Sequence, residues 1–202
     1  AGIQPQRRLE RQLGKAGEKM KNDQLSETIL NEETVYQGKF LKVTHAEVSL
    51  PNGHTSGRDM VRHPGGVVIV AIGEEDEVYL EHQYRTPLDT VIVELPAGKR
   101  EPGEAPELTA RRELKEETGL VARHWEKLGE IVTTPGFSDE ILHLYLATGL
   151  TREADEKDED EFVEVFTMPF EQAYEKAMRG EFPDGKTVAG LAMAMAKRNN
   201  GK

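Results

Sequence analysis

The sequence predicts an α/β fold, a mixed β-sheet flanked by helices, preceded by a small antiparallel β segment. Three observations carry this. Gly65-Gly-Val-Val-Ile-Val-Ala-Ile72 is an almost unbroken apolar run, the pattern of a strand buried on both faces. Gly98 to Leu120 passes from a loop punctuated by Gly98, Pro102 and Gly103 into a helix. The stretch from Leu25 to Arg62 consists of short runs rich in Val, Thr and aromatic residues, with Pro51-Asn52-Gly53 as a turn between the last two.

The chain has 202 residues, enough for one good domain and a small appendage. It has no cysteine, which excludes disulfides, thiolate metal sites and a cysteine nucleophile. A chain without cysteine fits a cytoplasmic location. The formal net charge is −11, so no general nucleic-acid binder is expected, and an anionic substrate has to be held by local groups. No apolar run approaches the ~20 residues of a membrane span. Six histidines (His45, His54, His63, His82, His124, His143) are scattered with none four apart, which argues against zinc.

Residues 1–19 differ from the rest: five are Arg or Lys and two are Glu. They read as a flexible tail outside the domains, with a basic arm as the alternative. From there the chain reads as strands over 28–36, 41–50 and 56–62, an N-terminal β domain over 20–63 too small to bury much alone. A larger domain follows over 64–202. Its strands are expected over 65–72, 78–85, 91–95, 126–134, 141–147 and 162–167. Its helices are expected from Pro106 to the cap at Gly119 and over 171–179 and 187–198. Residues 153–161 hold seven acids in nine positions and read as a solvated loop.

The helix from Pro106 is well marked. Proline suits the first helical position, Glu104 and Glu107 favour the positive end, and Gly119 suits a left-handed C-terminal cap. At 3.6 residues per turn Glu113, Glu116 and Glu117 share one face, with Ala110 and Leu114 beside it to pack on a core. Arg112 precedes Glu116 by one turn and can pin it. Like charges so close repel, whereas a hard divalent cation would turn that cost into binding. Spacing alone leaves a metal site and a solvated acidic face both open. Glu140 lies in a Pro/Gly-containing loop, where it reads either as a mobile catalytic acid or as a surface residue starting a strand. No nucleophile motif is evident, which points to attack by water.

Gly98, five residues, Glu104, seven residues, then Arg112-Glu113-Leu114-Lys-Glu116-Glu117-Thr-Gly119-Leu120 resembles the Nudix box at every defined position. The resemblance implies a Nudix α/β/α sandwich and a hydrolase of nucleoside diphosphates linked to another group, working with Mg²⁺ or Mn²⁺. It implies Glu113 and Glu117 as core metal ligands, Glu116 and Glu104 as supporting ones, the Ala97 carbonyl completing the set, and Arg112 orienting the glutamates.

Gln83-Tyr84-Arg85, Glu94-Leu-Pro-Ala97-Gly98 and Thr134-Pro-Gly-Phe-Ser-Asp-Glu140 are similar to the ADP-ribose pyrophosphatase branch of that family. The branch implies cleavage of ADP-ribose to AMP and ribose 5-phosphate, and a homodimer whose N-terminal β domain crosses to the partner. It implies Glu140 positioning or deprotonating the attacking water, with Glu116 as the alternative base. It also implies Arg85 on the diphosphate, Arg58 and Thr134 on substrate, and Phe40 against adenine. Ion pairs for Arg58 and Arg85, and a core place for Phe40, are the plain alternatives. Leu142 stands two residues beyond Glu140, where some relatives carry a further acid. The rival readings are the same chemistry on another nucleoside diphosphate sugar or dinucleotide, and a Nudix module that senses a nucleotide without cleaving it.

Overall fold

The structure, a computed structural model, describes residues 24–153 and 162–200. The basic segment 1–19 and all but Glu153 of the acidic run lie outside the described residues. The chain divides into two compact units: residues up to Gln37 together with Val43–Met60, and Gly38–Lys42 together with the chain from Val61 onward.

The first unit is built on a three-stranded antiparallel-type meander in the order β1 (Thr28–Gln37), β2 (Lys42–Ser49), β3 (Thr55–Arg62). Along β2, Thr44, Ala46 and Val48 alternate as buried residues, the period of two that a half-buried strand requires. Every residue of β1 is exposed, including Leu30 (55% exposed) and Tyr36 (60% exposed).

The second unit holds two sheets. One runs β7 (Ala97–Lys99), β4 (Gly66–Ala71), β9 (Ile141–Arg152), β8 (Leu120–Val132); the other runs β10 (Val163–Pro169), β5 (Glu77–Arg85), β6 (Thr90–Glu94). The β4–β9 pair is parallel and the remaining pairs are antiparallel, so the sheets together are mixed. The apolar run becomes β4, and all six of its residues are buried. Its side chains alternate between two cores. Val67, Ile69 and Ala71 meet Ala110 and Leu114 of helix α1 (Pro106–Thr118). Val68 and Val70 share the other core with Phe170 and Ala173 of α2 (Phe170–Met178) and Leu191 and Ala194 of α3 (Gly185–Asn200). This is the sandwich expected from the sequence. Helix α3 approaches closely at Gly190, where a Cβ would come within 2.6 Å of Leu95 Cδ1.

Three elements differ most from the sequence reading, among them β9, which runs on to Arg152 instead of ending at 147. β8 begins at Leu120 instead of 126, because thirteen residues of mixed polarity are held by a long ladder to β9 with a bulge between Lys127 and Gly129; pairing overrides weak local propensity. Ala97–Lys99, read as loop, forms the short edge strand β7 on β4.

Candidate active site

The box is assembled by local signals. Helix α1 starts at Pro106 after an extended Ala105, and Gly119 closes it at φ 68° with its N–H donating to the Lys115 carbonyl. That left-handed cap costs glycine little. The helix buries Glu113 (7% exposed) and Glu117 (2% exposed), and burying two carboxylates on adjacent turns requires compensation. The Ala97 N–H donates to Glu117 Oε2 at 3.0 Å. The Glu113 carboxyl lies against Gly98, where a Cβ would sit 1.9–2.2 Å from its atoms. A larger residue there would displace the Glu113 carboxylate from this position.

Arg112 gathers the remaining acids. Its guanidinium donates to Glu116 Oε2 at 2.7 Å, to both Glu104 oxygens at 3.2 Å and to the Lys99 carbonyl at 3.2 Å, and lies 2.9 Å from Glu113 Oε1. Burial works to lower the Arg112 pKa, but the three carboxylates outweigh it and hold the group above its ordinary value. Arg112 in turn keeps Glu104 below the usual carboxylate range, against burial and with help from the Thr109 hydroxyl at 2.8 Å. Three glutamates thus share one guanidinium.

The donor set suits a hard divalent cation, which prefers carboxylate and carbonyl oxygen. Acids outnumber bases, the oxygens are fixed to a helix, and Gly98 leaves a cradle against Glu113. Among the described residues no three His, Cys, Asp or Glu side chains are gathered as a ligand set; Glu104, Glu113 and Glu116 turn to Arg112. A cation would therefore take its place by exchange with Arg112 contacts.

Glu140 sits at the same end of the sheet as the box loop. The register places Gly66 opposite both Lys99 on β7 and Leu142 on β9, so the turn before β9 and the exit of β7 share one edge. Thr133 Oγ1 donates to Glu140 Oε2 at 2.6 Å, and His63 Nδ1 lies 3.1 Å from Glu140 Oε1. The Thr134 carbonyl accepts from the Phe137 and Ser138 N–H groups, shaping the turn.

Arg85 makes a bidentate pair with the buried Glu94 at 2.5 and 2.6 Å. Glu94 also contacts Lys186, which lies 3.0 Å from Asp184. Burial, aided by the Arg85 charge, pulls the Lys186 ammonium down to about 7 against the pull of Glu81, and burial pushes Asp184 up. In the first unit Arg58 pairs with Glu27 at 2.5 and 3.0 Å and also reaches the Ser56 hydroxyl. Phe40 is half exposed, with the Lys99 ammonium 4.4 Å from its ring centre; a core place for it is ruled out. The structure thus brings Ala97, Glu104, Arg112, Glu113, Glu116 and Glu117 together. It gives Arg58 and Arg85 carboxylate partners. Sequence reasoning gave no site role to His63, Thr133 or Lys186, since each meets its partner through tertiary pairing, with no local pattern.

A NUDIX domain family model matches residues 62–191, and a model described as the nucleoside diphosphate sugar hydrolase N-terminal domain matches residues 27–59. The chain belongs to the Nudix family. Among similar proteins, an ADP-ribose pyrophosphatase of Bacillus subtilis (strain 168) is 42% identical over 86% of this chain and 95% of its own length. A methanol dehydrogenase activator of Bacillus methanolicus is 44% identical over 80% of this chain and 89% of its own. A crystal structure described as an ADP compounds hydrolase superposes with a TM-score of 0.77, covering 87% of this chain and 96% of that one at 24% identity; this likeness concerns the fold. Nudix hydrolases generally use a divalent metal, and the acid-rich box supplies the oxygens for one. No helix among the described residues is long and apolar enough to cross a membrane.

Proposed function

We propose that this Nudix hydrolase cleaves the diphosphate of ADP-ribose by water attack, giving AMP and ribose 5-phosphate. The observation that carries the reading is the intact box, folded with Glu104, Glu113 and Glu116 around Arg112, Glu117 on the Ala97 N–H and a glycine cradle for Glu113. It is joined to high similarity over nearly the whole length of a relative named ADP-ribose pyrophosphatase.

Glu113 and Glu117 would hold Mg²⁺, with Mn²⁺ as a substitute, assisted by Glu116, Glu104 and the Ala97 carbonyl. When bound, the cation neutralises charge on the phosphoryl oxygens and makes a nearby water more acidic. The chain's own residues do the rest. Arg112 aligns the carboxylates through its network. Glu140, held by Thr133 and His63, accepts the proton of the attacking water, with Glu116 as the alternative base. Arg85, oriented by Glu94, presents its guanidinium to the diphosphate, a bidentate recognition that arginine geometry suits. Arg58 and Thr134 contribute to substrate binding. The half-exposed Phe40 ring offers a stacking face to adenine.

We also propose a homodimer in which the N-terminal β domain crosses to the partner, supported by the apolar residues exposed along β1, and a cytoplasmic setting. The test of function is product formation with Mg²⁺ from ADP-ribose, ADP-glucose, GDP-mannose, NADH and an oxidised dGTP, resolved by chromatography. AMP and ribose 5-phosphate, with ADP-ribose fastest, is the expected result. Faster turnover of another compound would overturn the substrate, and no turnover of any would overturn the hydrolase reading.

A further inference from the structure

His63 lies on the short link between β3 and β4, far from the box in sequence, yet it touches the loop acid assigned to the attacking water. Its side chain is nearly buried, with Nδ1 3.1 Å from Glu140 Oε1. The contact is built in. The Val61 N–H donates to the Phe137 carbonyl at 2.7 Å, the Asp139 N–H donates to the Val61 carbonyl at 3.2 Å, and the His63 N–H donates to Asp139 Oδ1 at 2.8 Å. A parallel bridge joins Val61 to Ser138. Phe40 meets the imidazole edge-on at 6.2 Å between ring centres. The link and the catalytic loop are therefore sewn together, and the ring is aimed by its backbone and by an aromatic neighbour.

A glutamate's terminal torsion is soft, so a carboxylate in a turn needs two anchors to fix its plane. Glu140 has one in the Thr133 hydroxyl on Oε2, and His63 Nδ1, 3.1 Å from Oε1, stands where a protonated ring supplies the second. We propose that His63 is a positioning residue for Glu140, holding one carboxylate oxygen while Thr133 holds the other. This rests on the reading of Glu140 as the group that handles the attacking water. The Gly65 N–H donates to the same Nδ1 at 3.1 Å. To bind Glu140 the nitrogen must carry a proton; to accept from Gly65 it must offer a lone pair. The ring has two hydrogen-bonding states, and Glu140 is anchored on this side in only one.

The test is steady-state hydrolysis of ADP-ribose at saturating Mg²⁺ by wild type, His63→Leu, His63→Asn, Glu140→Gln and the His63→Leu/Glu140→Gln double variant. His63→Leu is expected to lower kcat on the order of tenfold with little change in KM, the cost of a misaligned group. His63→Asn, whose amide can place an N–H near the Nδ1 position, is expected to recover most of kcat. In the Glu140→Gln background His63→Leu should have no further effect, because the residue to be positioned is gone. Thr133→Val removes the other anchor at an exposed site and should also lower kcat, which keeps the proposal testable if His63→Leu does not fold. Wild-type kcat in His63→Leu or Thr133→Val, no recovery in His63→Asn, or equal slowing in the Glu140→Gln background would overturn the positioning role. Wild-type kcat in Glu140→Gln would instead overturn the reading of Glu140 on which it rests.

Discussion

Two charged clusters in the larger unit are built on different pairings. At the box, Glu104, Glu113 and Glu116 share Arg112 as their guanidinium partner, and Glu117 beside them accepts the Ala97 N–H. On the β5–β6 hairpin, Glu94 and Asp184 pair directly with Arg85 and Lys186, with the buried Glu81 opposite Glu94 and attracting Lys186. In a cluster of directly paired buried charges each is needed by its partner, and losing one strands another in low dielectric. An acid-rich cluster is open, and the folded chain carries repulsion that a cation would relieve. The difference separates a cluster in which every base has a direct carboxylate partner from one in which three carboxylates share a single guanidinium.

The sharpest way to break this comparison is to remove one carboxylate from each cluster, because the stability changes should have opposite signs. Glu94→Ala leaves Arg85 and Lys186 without their shared partner and is expected to lower the unfolding free energy by about 3–5 kcal/mol in urea denaturation. A loss below about 1 kcal/mol would place the pair among weak surface bridges. Glu117→Gln should fold at least as stably as wild type without divalent cation, while kcat for ADP-ribose falls on the order of a hundredfold or more. Wild-type turnover in that variant at saturating Mg²⁺ would remove Glu117 from the site.

The smallest effect concerns Glu104, which lies at the cluster's edge. Its pKa is held below the ordinary 4.5, chiefly by Arg112. A carboxylate with a depressed folded pKa contributes stability above its unfolded pKa and loses it as pH falls through the folded value. Glu104→Gln should therefore cost about 1 kcal/mol near neutrality, and the gap from wild type should close as pH drops below 4.5. A gap that persists unchanged in acid would mean that Glu104 acts by packing and not by charge.

The box cluster was legible in the sequence because its determinants are local. Pro106 and Gly119 set the helix ends, the helical period puts the glutamates on one face, and Arg112 reaches Glu116 one turn away. The hairpin cluster was not legible. Arg85 meets Glu94 only because β5 and β6 pair antiparallel, and Lys186 arrives from the start of α3, some ninety residues on. The same holds for His63 and Glu140, joined across 77 positions by the link between β3 and β4. β8 escaped notice as far back as Leu120 because Arg123, His124 and Glu126 break up the apolar pattern of its first half, and its partner strand makes it a strand.

The most direct test of the central claim, that the acid-rich box binds a divalent cation, is the thermal midpoint of the whole chain as MgCl₂ is titrated. Wild type should rise with Mg²⁺, by an amount equivalent to about 2.7 kcal/mol once the ion reaches a hundred times its Kd. Glu113→Gln/Glu117→Gln should start at or above the wild-type midpoint without Mg²⁺, relieved of its repulsion, and should not respond. An unchanged Mg²⁺ response in that double variant would contradict the account, because the ion would then be held elsewhere.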